Sequence, residues 1–488
     1  MTKELVGALA LAALFSACSN GNGKGAVTAS GGTATNGEGG GTPGGSGGAS
    51  NGGTAASTGG TASNGSAGGG AGGGGAAAST GGATNAGGVT SGGATSSGGG
   101  VNASSGGAGS GGGSGSRWVG TWSASPYPVD ANNQPPVGLA NSVLRQVVHV
   151  SLGGSQIRVQ FSNLNGSGAV TISSAHVALC KASPAVDSSI DPATDKALAF
   201  SGMGSVTIAQ GKEVWSDPLD FALPALGNVS ITTAFGSVPT SLTGHAGART
   251  TSYVQSGSSN VSATSMSSAQ TKDAWYYISG MDVMADASAR AMVAIGDSIT
   301  DGRGTDTNKN TRWTDYLSAR LQASASGKNV GVLNQGIGAT NLVGTSGTAA
   351  QARFARDVLG QSGVKYVIVL DGVNDIGGGA SFAALKSAYD DLISRAHGKG
   401  LKIYGATILP FGAYASYATH DSVRLQVNEY IKSGVFDGFI DFESLGDGGN
   451  PAKLLSTYAT WAQTDGLHPN PTGYQKMGDL VDLSLLDK

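Results

Sequence analysis

Four short blocks in the second half of the chain hold residue types that together could transfer an acyl group. The first, Ala294-Ile-Gly-Asp-Ser-Ile-Thr-Asp-Gly302, sets Ser298 directly behind an apolar run. Asn334-Gln-Gly-Ile-Gly-Ala-Thr340, Gly372-Val-Asn-Asp375 and Asp465-Gly-Leu-His468 follow in that order. A serine hydroxyl attacks a carbonyl only when a base takes its proton, and His468 offers the imidazole. Asp465 stands three residues before His468. One tight loop can therefore bring its carboxylate to the Nδ1 side of the ring, fixing the tautomer and stabilising the imidazolium formed in reaction. Taken singly, a serine here caps a turn, Asn374-Asp375 makes an Asx turn, and Asp465 and His468 sit in a surface loop. Taken together they supply a nucleophile, a base, its orienting carboxylate and hydrogen-bond donors.

The elements that must position these residues are readable from apolar period. Runs at 291–295, 330–333, 366–370, 403–408 and 439–442 alternate with stretches at 313–321 and 382–397 whose apolar spacing is three and four. Strand and helix alternation predicts an α/β fold with a parallel sheet covered on both faces, and Ser298 at the carboxyl end of a strand. Ahead of it, residues 156–161, 169–173, 174–179, 204–208 and 229–235 alternate polar with apolar, and Gly, Asn, Asp and Pro fall between them. Short strands punctuated by turns predict a β-sandwich or jelly roll over 117–286, before an α/β domain at 287–488.

The four blocks, in this order, resemble those of the SGNH hydrolases, also called GDSL esterases and lipases. The resemblance covers roughly the last 200 residues, the size of one domain. Arg117-Trp-Val-Gly-Thr-Trp-Ser-Ala-Ser-Pro126 is similar to the amino-terminal region of two-domain bacterial members, which are often linked to polysaccharide deacetylation or aryl-ester hydrolysis. The resemblance implies a three-layer αβα sandwich and a serine esterase without cofactor. It also implies an oxyanion hole built from the Ser298 N–H, a glycine N–H of the second block and the Asn374 side chain. The family's usual glycine falls on Ala339, with Gly338 just before it. A backbone N–H donates from alanine as well as from glycine if the backbone conformation suits it.

Composition frames the rest. Residues 1–17 hold a short apolar core and small residues before Cys18, the pattern of a signal peptide. Leu14-Phe-Ser-Ala-Cys18 resembles a bacterial lipobox, which implies lipidation of Cys18 and an extracytoplasmic, membrane-anchored protein; an ordinary cleaved signal is the alternative. From 18 to 116 the chain is Gly, Ser, Thr, Ala and Asn with almost nothing large. Such a segment predicts disorder and a tether with an r.m.s. span of ~50–60 Å. Gly44-Gly-Ser-Gly-Gly48 inside it matches a hydrolase nucleophile pattern, but no strand precedes it and no helix follows. Cys18 and Cys180 are the two cysteines, so Cys180 reads as a small buried residue. Net charge is −3 and charged residues are 12%, with no basic run for nucleic acid. His149, His176, His245, His397 and His420 show no metal-ligand spacing and read as structural or exposed; no metal is expected. Trp461, Tyr414 and Leu342 lie near the blocks and are candidates for a substrate pocket.

The expected partner is an ester, with acyl groups on polysaccharide as the leading class. Two other readings stay open: a lipid-directed esterase or lysophospholipase, and a catalytically inactive surface protein that binds carbohydrate.

Overall fold

A computed structural model describes residues 115–181, 187–459 and 465–487. The expected signal segment, Cys18, nearly all of the expected tether, and Trp461 lie outside the described residues.

The parallel sheet begins with strand Arg290–Gly296, in which every residue after Arg290 is buried. A run of Ala, Met, Val and Ile without polar alternation suits a strand covered on both faces. The sheet order is Val330–Gly336, Arg290–Gly296, Val364–Leu370, Lys402–Ala406, Gly438–Ile440, all parallel. The first strand in sequence is therefore internal, with the second on one side of it and the third on the other. The chain winds in opposite directions from there, which opens a crevice at the strands' carboxyl ends. Phe442 falls in a 3-10 turn beyond the last strand, which is shorter than its apolar run predicts.

Helix Phe382–His397 matches its predicted span. Ser381 caps it by accepting from Ala384 N, and Leu385, Ala388, Tyr389, Leu392 and Ala396 form its buried stripe. The closing helix, Pro471–Leu480, starts where Asn470 caps the Gly473 N–H and proline takes the first position. It directly follows the His468 block.

The strand-rich region is antiparallel. One sheet runs Ser116–Ser123, Ile278–Asp286, Gly154–Ser162, Glu213–Trp215. A second runs Gln270–Lys272, Ser252–Ser256, Ser142–His149, Asn228–Phe235, Val170–Leu179, Lys196–Ala197. Val170–Leu179 is one continuous strand where the sequence suggested two, because no turn residue interrupts it. Val119, Val159 and Phe161 of the first sheet share one apolar cluster with Leu144, Val177 and Ile231 of the second. That cluster continues without a break into Val293 and Ile295 of the parallel sheet.

Backbone contacts join the two regions as well. The Ser151 hydroxyl accepts from Val332 N at 2.8 Å and donates to Thr121 O at 2.7 Å. It thereby links the edge strand Val330–Gly336 to strand Ser116–Ser123. Gly120 N donates to Ser362 O at 2.9 Å. Strand Ser116–Ser123 thus packs against the Val330–Gly336 edge of the parallel sheet, where it hinders unwanted strand pairing.

Candidate active site

Ser298 opens a single helical turn, Ser298–Asp301, immediately after strand Arg290–Gly296. The turn is closed locally at both ends. Asp297 accepts from Ile299 N at 2.8 Å, and Gly302, at φ +91°, donates its N–H to Ser298 O. Gly296 permits the sharp entry, since a Cβ there would lie 2.2 Å from Leu370 O. Ser298 is buried to 6% exposure, so its hydroxyl is directed by neighbours and not by bulk water.

The structure brings the first and last blocks together. Ser298 Oγ lies 2.7 Å from His468 Nε2, and His468 Nδ1 lies 2.8 Å from Asp465 Oδ2. Asp465 Oδ1 accepts from the N–H groups of Leu467 and His468, both at 3.0 Å, so the loop folds around the carboxylate. A carboxylate facing Nδ1 places the ring proton there and leaves Nε2 to accept the serine proton. Burial would raise the Asp465 pKa, but its hydrogen bonds from His468 and Leu467 and the His468 charge hold it below the ordinary carboxylate value. Burial pushes His468 below its ordinary 6.5; Asp465 opposes this, while Arg303 and Arg249 add to it. The imidazole is therefore neutral, and able to take a proton, at neutral pH.

Asn374 stands in the short helix Val373–Gly377, which follows strand Val364–Leu370. Ser298 and Asn374 thus flank the point where the strand order reverses. Asn374 Nδ2 donates to Thr340 O at 2.7 Å, and Tyr417 Oη donates to Asn374 Oδ1 at 3.1 Å. These two bonds fix the orientation of the amide and leave one Nδ2 proton uncommitted. Asp375 accepts from Leu342 N at 2.7 Å and Val343 N at 3.0 Å, tying the third block to the loop of the second.

Gly338 and Ala339 lie exposed in that loop. Among the described residues, neither N–H donates to a protein acceptor. Ala339 adopts φ +59°, the left-handed conformation that glycine takes freely and alanine takes at a cost. The conformation is thus that of a glycine, although the residue is alanine.

Several contributors carry no sequence signal. His245, from the strand-rich region, sets Nε2 3.0 Å from Asp301 Oδ1 and Nδ1 2.9 Å from Ser125 O. Burial would raise the Asp301 pKa, but His245, Arg249 and Arg312 outweigh it and keep the group ionised. Gly247 admits Asp301 so closely that a Cβ would lie 2.0 Å from its Oδ2. Arg312 Nη2 donates to the carbonyls of Gly247 and Ala248 at 3.1 and 2.5 Å. Arg353 bonds Gly296 O at 2.9 Å and Gln335 O at 2.6 Å, clasping the ends of two strands. Each contact joins segments far apart in sequence, which no local motif records.

The pocket candidates divide. Leu342 is fully buried in the core, and its backbone N–H donates to Asp375. Tyr414 is half-buried and packs edge-on against Tyr417 at 4.8 Å. A cavity of about 310 Å³ opens beside His468, walled by Arg249, Arg303, Thr305, Asp306 and Thr307. Among the described residues, no group of three or more His, Cys, Asp or Glu side chains is arranged to hold a metal ion.

Comparison with known proteins places this arrangement. Residues 294–476 match the model of the GDSL-like lipase/acylhydrolase family, a span that includes Ser298, Asn374, Asp465 and His468. Similar solved structures include a lipolytic protein of the G-D-S-L family from Desulfitobacterium hafniense, at 22% identity and TM-score 0.32, covering 39% of this chain and 96% of that one. A GDSL-like lipase from Bacteroides thetaiotaomicron matches at 18% identity and TM-score 0.31, over 41% of this chain and 88% of that one. An acetylxylan esterase from Geobacillus stearothermophilus matches at 18% identity and TM-score 0.32, over 41% of this chain and 95% of that one. No curated protein matches significantly. Residues 294–476 thus carry a GDSL-like lipase/acylhydrolase domain, of a family of hydrolases that act on ester bonds.

Proposed function

We propose that Ser298 is the nucleophile, His468 the general base and Asp465 its orienting carboxylate in hydrolysis of short acyl esters. The observation that carries the reading is the unbroken chain Ser298 Oγ, His468 Nε2, His468 Nδ1, Asp465 Oδ2 at 2.7 and 2.8 Å. Ser298 Oγ attacks the ester carbonyl as its proton passes to Nε2. The tetrahedral oxyanion takes hydrogen bonds from the Ser298 N–H, the Ala339 N–H with Gly338 beside it, and Asn374 Nδ2. His468 returns the proton to the departing alcohol oxygen, leaving an acyl-serine. Water then attacks that carbonyl, again losing a proton to Nε2, and the carboxylic acid leaves as Ser298 recovers its proton.

Short acyl groups, acetyl foremost, are favoured over lipids by the sequence around the four blocks. A long chain needs an extended apolar groove. No long apolar lid segment flanks the site blocks in the sequence. The lipobox-like segment before Cys18 supports an extracytoplasmic enzyme held by a lipid and a tether, with acylated polysaccharide or aryl esters as substrates.

Hydrolysis of p-nitrophenyl acetate and its longer homologues by the full chain tests this reading. The expected result is acetate turnover and a kcat/KM that falls with chain length. A rise toward long chains moves the assignment to lipids. A folded chain inert toward every ester would overturn it in favour of a carbohydrate-binding protein.

A further inference from the structure

The cavity beside His468 has a chemistry that the hydrolytic residues do not explain. Among the described residues its side chains are two guanidiniums, two hydroxyls, one carboxylate and the imidazole, with no aliphatic or aromatic residue. At about 310 Å³ it is at the small end of ligand clefts, and it opens on the base of the reacting pair.

Arg249 reaches it from the strand-rich region. Its backbone sits at φ +50°, an uncommon conformation for arginine, and is fastened there by Asn308 N donating to Arg249 O at 2.9 Å. Asn308 Oδ1 accepts in turn from Thr251 N at 2.8 Å. Strain held in place by a neighbouring loop needs a reason in what the side chain does. Its ion pair with Asp301 is long, at 3.6 Å, and that carboxylate is already engaged by His245 at 3.0 Å. Arg249 Nε is buried and, among the described residues, has no hydrogen-bond partner. Arg303 is 62% exposed, and its approach to Asp465 is 3.8 Å, to an oxygen that His468 already uses. Two guanidinium forks thus keep unused donors next to the imidazole. Such forks match a planar carboxylate.

The side of the site fixes which half of the ester lies there. The group that returns the proton must face the leaving oxygen, so the alcohol half lies toward His468. The acyl carbonyl oxygen faces Ala339 and Asn374. We propose that this cavity binds a carboxylate on the alcohol half, so that the preferred substrates are acyl esters of acidic alcohols such as uronic-acid units. The inference rests on the assignment of Ser298 and His468 as the reacting pair.

Three aryl acetates test it with the full chain: 4-acetoxybenzoate, its neutral methyl ester, and the cationic 4-acetoxyphenyltrimethylammonium. Rates are normalised to each ester's reaction with hydroxide. The expected order of kcat/KM is anion, neutral, cation, with added salt narrowing the spread. Arg249→Met and Arg303→Met should each cut the anion-to-neutral ratio about tenfold, the scale of one lost charged hydrogen bond. Equal losses on all three esters would overturn the inference and leave Arg249 a support for Asp301. If Arg249→Met does not fold, the exposed Arg303→Met carries the same comparison. Ser298-dependent turnover with a ratio insensitive to the arginines removes this inference alone; absence of turnover on the neutral ester removes the esterase reading beneath it.

Discussion

Tyr417 Oη donates to Asn374 Oδ1 at 3.1 Å across 43 residues of sequence. Tyr417 packs against Phe411 and Tyr414 in the loop after strand Lys402–Ala406, so its hydroxyl is held by aromatic contacts. The bond settles which end of the amide is the donor. Thr340 O takes one Nδ2 proton; among the described residues no protein acceptor takes the other, which the proposed mechanism assigns to the oxyanion.

Tyr417→Phe keeps the ring and removes only the orienting bond. We expect kcat on p-nitrophenyl acetate to fall about tenfold with KM little changed, since the donor acts mainly in the transition state. Asn374→Ala should cost about 10²–10³ in kcat. In that background Tyr417→Phe should add little, and an additive double mutant would show that the tyrosine acts elsewhere.

Ala339 occupies left-handed space at φ +59°. Ala339→Gly should retain kcat and raise stability by about 0.5–1 kcal/mol, part of the relieved strain being offset by the freer unfolded chain. Ala339→Val should lower both, because a β-branched residue fits that conformation poorly. Urea midpoints and kcat, measured on both variants, separate conformation from side-chain chemistry.

The pH dependence follows from His468. Burial first, and then Arg303 and Arg249, depress its pKa below 6.5. In the proposed mechanism the neutral ring is the base, so kcat/KM should rise with pH through a value below 6.5 and level above it. Removing a positive neighbour makes protonation easier and raises that pKa. Arg303→Gln should therefore move the acid limb to higher pH, and a shift to lower pH would contradict the assignment.

Asp297 and Asp371 are fully buried neighbours beneath the Ser298 turn. Burial, with the Asp375 charge adding, pushes Asp297 up to about 7. Burial and the Asp297 charge raise Asp371, whose Oδ2 has no hydrogen-bond partner among the described residues. A carboxyl whose folded pKa lies above its unfolded value holds its proton longer in the fold. Stability is then lost as pH rises from about 4 through the folded value. Asp371→Asn removes the titration and should stabilise the chain by about 1 kcal/mol or more near pH 8. The gain should shrink toward pH 4. A gain that grows on acidification would contradict the pairing.

What the sequence revealed were local signals. The five strands of the parallel sheet read as apolar runs, and Phe382–His397 as a helix, because burial on two faces and on one stripe leaves different periods. The serine, asparagine and histidine blocks were legible because each is a tight turn at an element's end. His245, Arg249, Arg353 and Tyr417 were not, since their meaning lies in contacts with residues distant in sequence. His245 and Asp301 are 56 residues apart, and nothing near either one announces the other. Ala339 is intermediate: its departure from glycine was visible, but its φ belongs to the fold.

The proposed mechanism turns on a covalent acyl-Ser298. Full chain quenched during p-nitrophenyl acetate turnover, then digested and weighed peptide by peptide, tests it most directly. One acetyl group is expected on the peptide carrying Ser298, with Ser298→Ala neither acetylated nor releasing p-nitrophenol above background. Release at the wild-type rate by Ser298→Ala, or acetyl carried by another residue during turnover, would contradict it.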